Sequence, residues 1–127
     1  MSSQFSTTDL PKLLIHCLES TEWSSLADLG CGEGVILEAL YHMGYFSGKS
    51  IVAVDLSPER LGKVRSISEN VTCVEADASF TTIESGSIDL VISTQVIEHV
   101  DDDNLMVQEI HRILAPGGTA YIDTIFK

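Results

Sequence analysis

Residues 28–34 read DLGCGEG, directly after the short run SSLA at 24–27. Gly30, Gly32 and Gly34 stand at every second position. Glycine brings no side chain to a core, so this pattern marks backbone that something must approach closely. The stretch leading in, SSLADLG over 24–30, reads as a strand. The stretch leading out, 33–45, carries Val35, Ile36, Leu37, Ala39, Leu40 and Met43 on one broad helical face. A glycine loop between a strand and a helix start lets free N–H groups and bare backbone meet a ligand. The spacing here is G-x-G-x-G, whereas a dinucleotide loop reads G-x-G-x-x-G. Asp28 also stands two residues ahead of Gly30. A loop that cradles phosphate has no use for a carboxylate there. A loop that receives a positively charged ligand does.

Outward from this loop, β-rich runs and helical stretches alternate. The runs are SIVAVDL (50–56), VTCVEAD (71–77), IDLVIST (88–94) and TAYIDTIF (119–126). Helical spacing predicts helices over 8–20, 58–69 and 102–114. The second starts with Ser57 as cap and Pro58 in its first turn. The last meets a stop at Ala115-Pro116-Gly117-Gly118, and Asp101-Asp102-Asp103 read as its N-terminal cap. Segment 78–87, ASFTTIESGS, is too short and polar for a full helix. Strands with near-continuous apolar runs between helices predict an α/β fold with a doubly wound, mainly parallel sheet. Residues 1–127 form one domain in this reading.

Composition narrows the partners. The 127 residues are 44% hydrophobic, enough for a core, with a formal net charge of −12 from 19 acidic and 7 basic residues. Such a surface disfavours nucleic acid. No apolar run approaches the ~20 residues of a membrane span, and the N-terminus lacks a signal-peptide pattern. A cytoplasmic protein is the expectation. Cysteines at 17, 31 and 73 have neither the count nor the spacing of a disulfide framework or a zinc site.

Two further aspartates share the setting of Asp28. Asp55 closes the second strand about 20 residues past the loop, where a carboxylate accepts hydrogen bonds from ribose hydroxyls. Asp77 closes the third. The carboxyl ends of the strands are where open α/β sheets bind ligands. A cap or turn explains any one of these aspartates; three in register with the glycine loop point to a site.

LADLGCGEG, VAVDLSPERL, CVEADA, IDLVISTQVIEHV and HRILAPGGTAYI, taken in order, resemble the successive motifs of class I S-adenosylmethionine-dependent methyltransferases. They are most similar to the ubiquinone/menaquinone-biosynthesis branch, from about Ser24 onward. The resemblance implies strand order 3-2-1-4-5, with S-adenosyl-L-methionine as cofactor and S-adenosyl-L-homocysteine as product. It places Asp28 near the cationic end of the methionine moiety, with Gly30, Cys31, Gly32 and Gly34 letting the backbone pass the cofactor. Asp55 would take the ribose hydroxyls and Leu56 the adenine face. Asp77 and the Ala78 N–H would meet the adenine edge, and backbone at Thr94 and Gln95 the methionine amino group. His99, beside Glu98, is the candidate for a base near the acceptor. A similar E-x-x-E-H motif holds metal in small-RNA 2'-O-methyltransferases, but Gln95 occupies its first acidic position, so no metal is expected.

A small-molecule methyl acceptor is the leading reading. A non-catalytic module needing a partner chain and a small-RNA 2'-O-methyltransferase are the alternatives. A nicotinamide-dependent dehydrogenase is disfavoured by the glycine spacing and Asp28. Family members resemble seven-stranded sheets, so the last two strands are expected to be missing, through truncation or because a second chain covers the fifth-strand edge. Self-association or a partner there is the corresponding expectation.

Overall fold

A computed structural model describes residues 10–123, except Gln95, Glu98 and His99. The elements run α1 (Lys12–Ser20), β1 (Ser25–Leu29), α2 (Val35–His42), β2 (Ser50–Asp55), α3 (Pro58–Arg65), β3 (Val71–Glu75), β4 (Ile88–Thr94), α4 (Asp103–Ile113) and β5 (Leu114–Asp123). The strands form one sheet in the order β3-β2-β1-β4-β5, every neighbouring pair parallel. This is the doubly wound sheet the sequence predicts. The segment between β3 and β4 holds no helix, also as expected.

Period-two alternation sorts the strand side chains between two cores. Leu26, Ile51, Ala53, Leu90 and Ile92 face α1, α2 and α3, where Leu14, Leu37, Leu40 and Leu61 meet them. Ala27, Leu29, Val54 and Val91 face the other way, onto Met106, Ile110 and Ile113 of α4. Leu26, Ile51, Leu90 and Ile92 have no exposed surface, and each such side chain contributes about 1.5–3 kcal/mol. The same alternation has a consequence at the strand ends. Asp28, Asp55 and Thr94 lie an even number of residues beyond Leu26, Ala53 and Ile92, so all three belong to the face of α1–α3.

Several boundaries differ from expectation, each for a local reason. Helix α1 begins at Lys12, because Pro11 is extended (φ −57°, ψ 136°) and buried Leu10 precedes it outside the helix; residues 8 and 9 lie outside the described residues. Helix α2 starts at Val35, since Gly34 is left-handed. Helix α3 ends at Arg65, four residues early. Ser66 Oγ there donates back to the Lys63 carbonyl at 2.7 Å, and Asn70 Nδ2 is drawn to the Phe46 and Lys49 carbonyls. Its start is as expected: Ser57 Oγ accepts from the Arg60 N–H at 3.2 Å. Helix α4 stops at Ile113, and β5 begins at once with Leu114 instead of at 119. Leu114 pairs with Ile88 and Thr119 with Leu90, so Ala115–Gly118 form a bulge in the ladder. The expected residues 124–126 of this strand lie outside the described residues.

The helix-free crossover is held by charge. Glu109 of α4, 8% exposed, accepts from the Thr81 N–H and hydroxyl, both at 2.7 Å. Arg112 donates to Glu109 through Nε and Nη2 at 2.8 and 2.7 Å, and through Nη1 to Ser85. Thr82, beside this clamp, has φ 64°, a strained conformation for a β-branched residue. Among the described residues no helix is long and apolar enough to cross a membrane.

Candidate functional site

At the end of β1 the chain turns sharply: the N–H groups of Gly30 and Cys31 both donate to the Val54 carbonyl of β2, at 2.7 and 2.9 Å. The three glycines then serve different ends. At Gly32 a Cβ would meet nothing within 4 Å, so this backbone is open to an incoming ligand. At Gly30 a Cβ would lie 2.4 Å from Val96 Cγ2, and at Gly34 2.8 Å from Val64 Cγ2. Gly34 therefore lets α2 start against α3, a packing role the sequence reading assigned to the ligand.

Asp55 ties the loop to the next element. Its Oδ1 accepts from the Gly32 N–H at 3.1 Å and its Oδ2 from the Ser57 N–H at 2.9 Å. Each oxygen keeps a further lone pair for a donor. Arg60 stands 3.9 Å from Oδ2 on the solvent side. Asp77 lies in the turn after β3, because the strand stops at Glu75; its Oδ1 accepts from the Ser79 N–H at 2.7 Å.

These residues surround one cavity of about 940 Å³ along the carboxyl edge of the sheet. That volume is at the upper end of small-molecule pockets. Of the residues expected at the site, Gly30, Cys31, Gly32, Asp55, Leu56, Asp77, Ala78 and Thr94 line it. Leu56 is 66% exposed at its mouth, a large apolar surface that a ligand would cover. Gly34 and Asp28 are set back from the wall, and Gln95 and His99 lie outside the described residues. Asp28 is only 2% exposed. Burial pushes its carboxyl up to about 7, and the charge of Asp55 adds to the rise. Among the described residues it has no cationic partner. Such a buried, unpaired carboxyl favours its neutral form. Burial also pushes the Cys31 thiol up, with Asp28 and Asp55 adding to it, so the reactive thiolate is disfavoured.

Residues without an assigned role in the sequence reading complete the wall. Asp102 alone caps α4, accepting from the Asn104 and Leu105 N–H groups, while Asp101 turns to the cavity. The expectation that all three aspartates form the cap is corrected to that extent. Asp123, the last described residue of β5, also lines the cavity. An acidic residue inside an otherwise apolar run, it was visible in TAYIDTIF. Pro11, Ile36 and Val100 supply apolar surface.

Residues 27–122 match the family model described as a methyltransferase domain. The chain belongs to that family. A ubiquinone biosynthesis O-methyltransferase of Xanthomonas campestris pv. campestris is 32% identical over 104 residues, spanning 77% of this methyltransferase and 41% of the relative. A protein of transposon TN4556 from Streptomyces fradiae, of uncharacterised function, is 33% identical over 91% of the chain and 35% of its own length. The methyltransferase thus spans less than half the length of these relatives. Among solved structures, a TehB-like S-adenosylmethionine-dependent methyltransferase of Corynebacterium glutamicum superposes with a TM-score of 0.70 at 26% identity, covering 87% of this chain and 59% of that one. The methyltransferase in a complex with the Haloferax volcanii Trm112 methyltransferase activator gives 0.72 at 29% identity, over 86% and 50%. Fold and family together make this a class I methyltransferase domain with S-adenosyl-L-methionine as its cofactor. The residues present fit that cofactor: a glycine backbone open at Gly32, and the carboxylates of Asp55 and Asp77 on the cavity wall for hydroxyl and amino donors.

Proposed function

We propose that the chain holds S-adenosyl-L-methionine along the carboxyl edge of its sheet and directs methyl transfer to a small-molecule acceptor. The observation that carries this reading is Asp55, whose oxygens are fixed by two backbone N–H groups and still face the cavity. In this reading Asp55 takes the ribose hydroxyls, Leu56 covers the adenine, and Asp77 with the Ala78 N–H reads the adenine edge. The glycine-loop backbone, open at Gly32, passes the methionine portion. Asp28 answers its ammonium from below, and backbone at Thr94 and Gln95 meets it from β4. When bound, the sulfonium supplies an electrophilic methyl group and departs as a neutral thioether. The protein's share is then alignment and exclusion of water, which accounts for much of the rate in such a displacement. Pro11, Ile36 and Val100 exclude water on the acceptor side. His99 stays the candidate base.

A need for a partner chain is the second reading. It is favoured by the similarity to a methyltransferase found with an activator subunit, and by the short span of this chain relative to its relatives.

Calorimetric titration tests the cofactor assignment. S-adenosyl-L-homocysteine is expected to bind with a dissociation constant on the order of micromolar, and NAD not to bind. Asp55→Ala should weaken the former roughly tenfold or more, through loss of charge-assisted hydrogen bonds to two hydroxyls. Tight binding of NAD alone would sink the proposal.

A further inference from the structure

We propose that Asp123 is the acceptor-binding residue, selecting acceptors whose reacting end carries an N–H or O–H donor, with amines favoured over alcohols and carboxylates rejected. This rests on the cofactor assignment above. The sheet order places Asp77 beyond β2 on one flank and Asp123 at the end of β5 on the other. Five strands at about 4.8 Å spacing put the outermost two about 19 Å apart. The adenosine-facing residues Asp55 and Asp77 occupy the β2–β3 side, which leaves the β4–β5 side for the acceptor. Asp123 pairs with Thr94 at the very end of the ladder, on the same side of the sheet.

Its carboxylate is half used. The Tyr121 hydroxyl donates to Oδ2 at 3.1 Å and fixes the group's orientation. Oδ1 is buried and has no hydrogen-bond partner among the described residues. An unpaired buried carboxylate oxygen is costly to leave unmet. Asp123 also lines the cavity, so a turn of the carboxylate presents this oxygen to a donor bound there, while an acceptor-only group gains nothing from it. Asp101 also lines this cavity and adds a second negative charge to it, which further opposes an anionic acceptor. Pro11, Ile36 and Val100 suit an apolar body behind the donor.

The test uses the full chain saturated with S-adenosyl-L-homocysteine and three probes that share a benzyl or phenyl body: benzylamine, benzyl alcohol and benzoate. Binding is read by calorimetry and by ligand-observed NMR. Benzylamine is expected to bind best, benzyl alcohol more weakly and benzoate not at all. Asp123→Asn should weaken benzylamine roughly tenfold and leave affinity for S-adenosyl-L-homocysteine unchanged. Tyr121→Phe, which frees Oδ2 but keeps the charge, should cost benzylamine only a few-fold. Benzoate binding as well as benzylamine overturns the inference, as does an unchanged benzylamine affinity in Asp123→Asn or no benzylamine binding to the loaded protein. Failure of S-adenosyl-L-homocysteine to bind the parent chain would strike the cofactor assignment instead, at the first step.

Discussion

An Asp28→Asn variant is expected to gain stability relative to the parent chain as pH rises, with the two denaturation profiles diverging between about pH 4 and pH 7. Asp28 is buried beneath the glycine loop, and its folded-state pKa of about 7 lies above the ordinary 3.8. The folded chain therefore binds this proton more tightly than the unfolded chain. Its stabilising contribution is complete below about pH 4, falls as pH rises through 7, and is flat beyond. The shift corresponds to about 4 kcal/mol as an upper figure, a large part of the 5–15 kcal/mol typical of a domain. Asparagine has nothing to titrate. Urea denaturation at a series of pH values reads the difference between the two proteins, which isolates Asp28 from every other titrating group. Parallel profiles would show that the carboxyl is not held in this state. The same substitution should weaken S-adenosyl-L-homocysteine binding, because a neutral amide cannot answer an ammonium. A stabilised but weakly binding variant identifies Asp28 as a group kept for its ligand.

Glu109→Ala should act in the opposite sense and cost about 1–3 kcal/mol, the range for leaving buried donors without their acceptor, since Arg112 is 38% exposed and turns to water. It strips Thr81 of its acceptor and leaves Arg112 without its bidentate mate. The crossover between β3 and β4 then loses the clamp that holds it, strained Thr82 included. Glu109→Gln keeps the shape without the charge and should cost less. The pH response also follows. Hydrogen bonds from Arg112, and then from Thr81, hold the carboxyl down at about 2 against an ordinary 4.5. Its stabilisation is present above about pH 4.5 and lost as pH falls through 2, so the parent chain loses this support in acid while the variants have none to lose. Thermal melts at pH 7 and pH 3 measure both effects. A change in Tm at pH 7 no larger than that of a surface substitution would refute the clamp.

The doubly wound sheet was legible because each strand repeats the same pattern, an apolar run between helix signals, and the crossover lacked helical length; its strand order came from the resemblance of the motifs to the methyltransferases. What the sequence hid was decided between neighbours. DLGCGEG presents three equivalent glycines, yet only the sheet and α3 together show that Gly34 makes room for Val64 while Gly32 stays open. The same holds for Asp101-Asp102-Asp103, where backbone geometry assigns the cap to the middle residue. Helix ends moved where a proline, a left-handed glycine or a serine side chain met the backbone. Asp123 stood as an acidic residue inside an apolar run, in a strand whose edge drew the reading.

The bulge at Ala115–Gly118 governs more than the ladder it interrupts. Two steps along β4, from Ile88 to Leu90, correspond to five along β5, from Leu114 to Thr119, so three residues are extra. Because that number is odd, it inverts the parity of everything downstream: Tyr121 and Asp123 share the face of Ile92 and Thr94, and Ile122 turns away. A single-residue insertion in the bulge, taken up by sliding of β5, would set Ile122 opposite Thr94 in place of Asp123. The recognition chemistry at one end of the strand is thus set by a residue count at the other. A length change there would recode the acceptor while leaving β1, β2 and β3, and the cofactor side of the site, as they are.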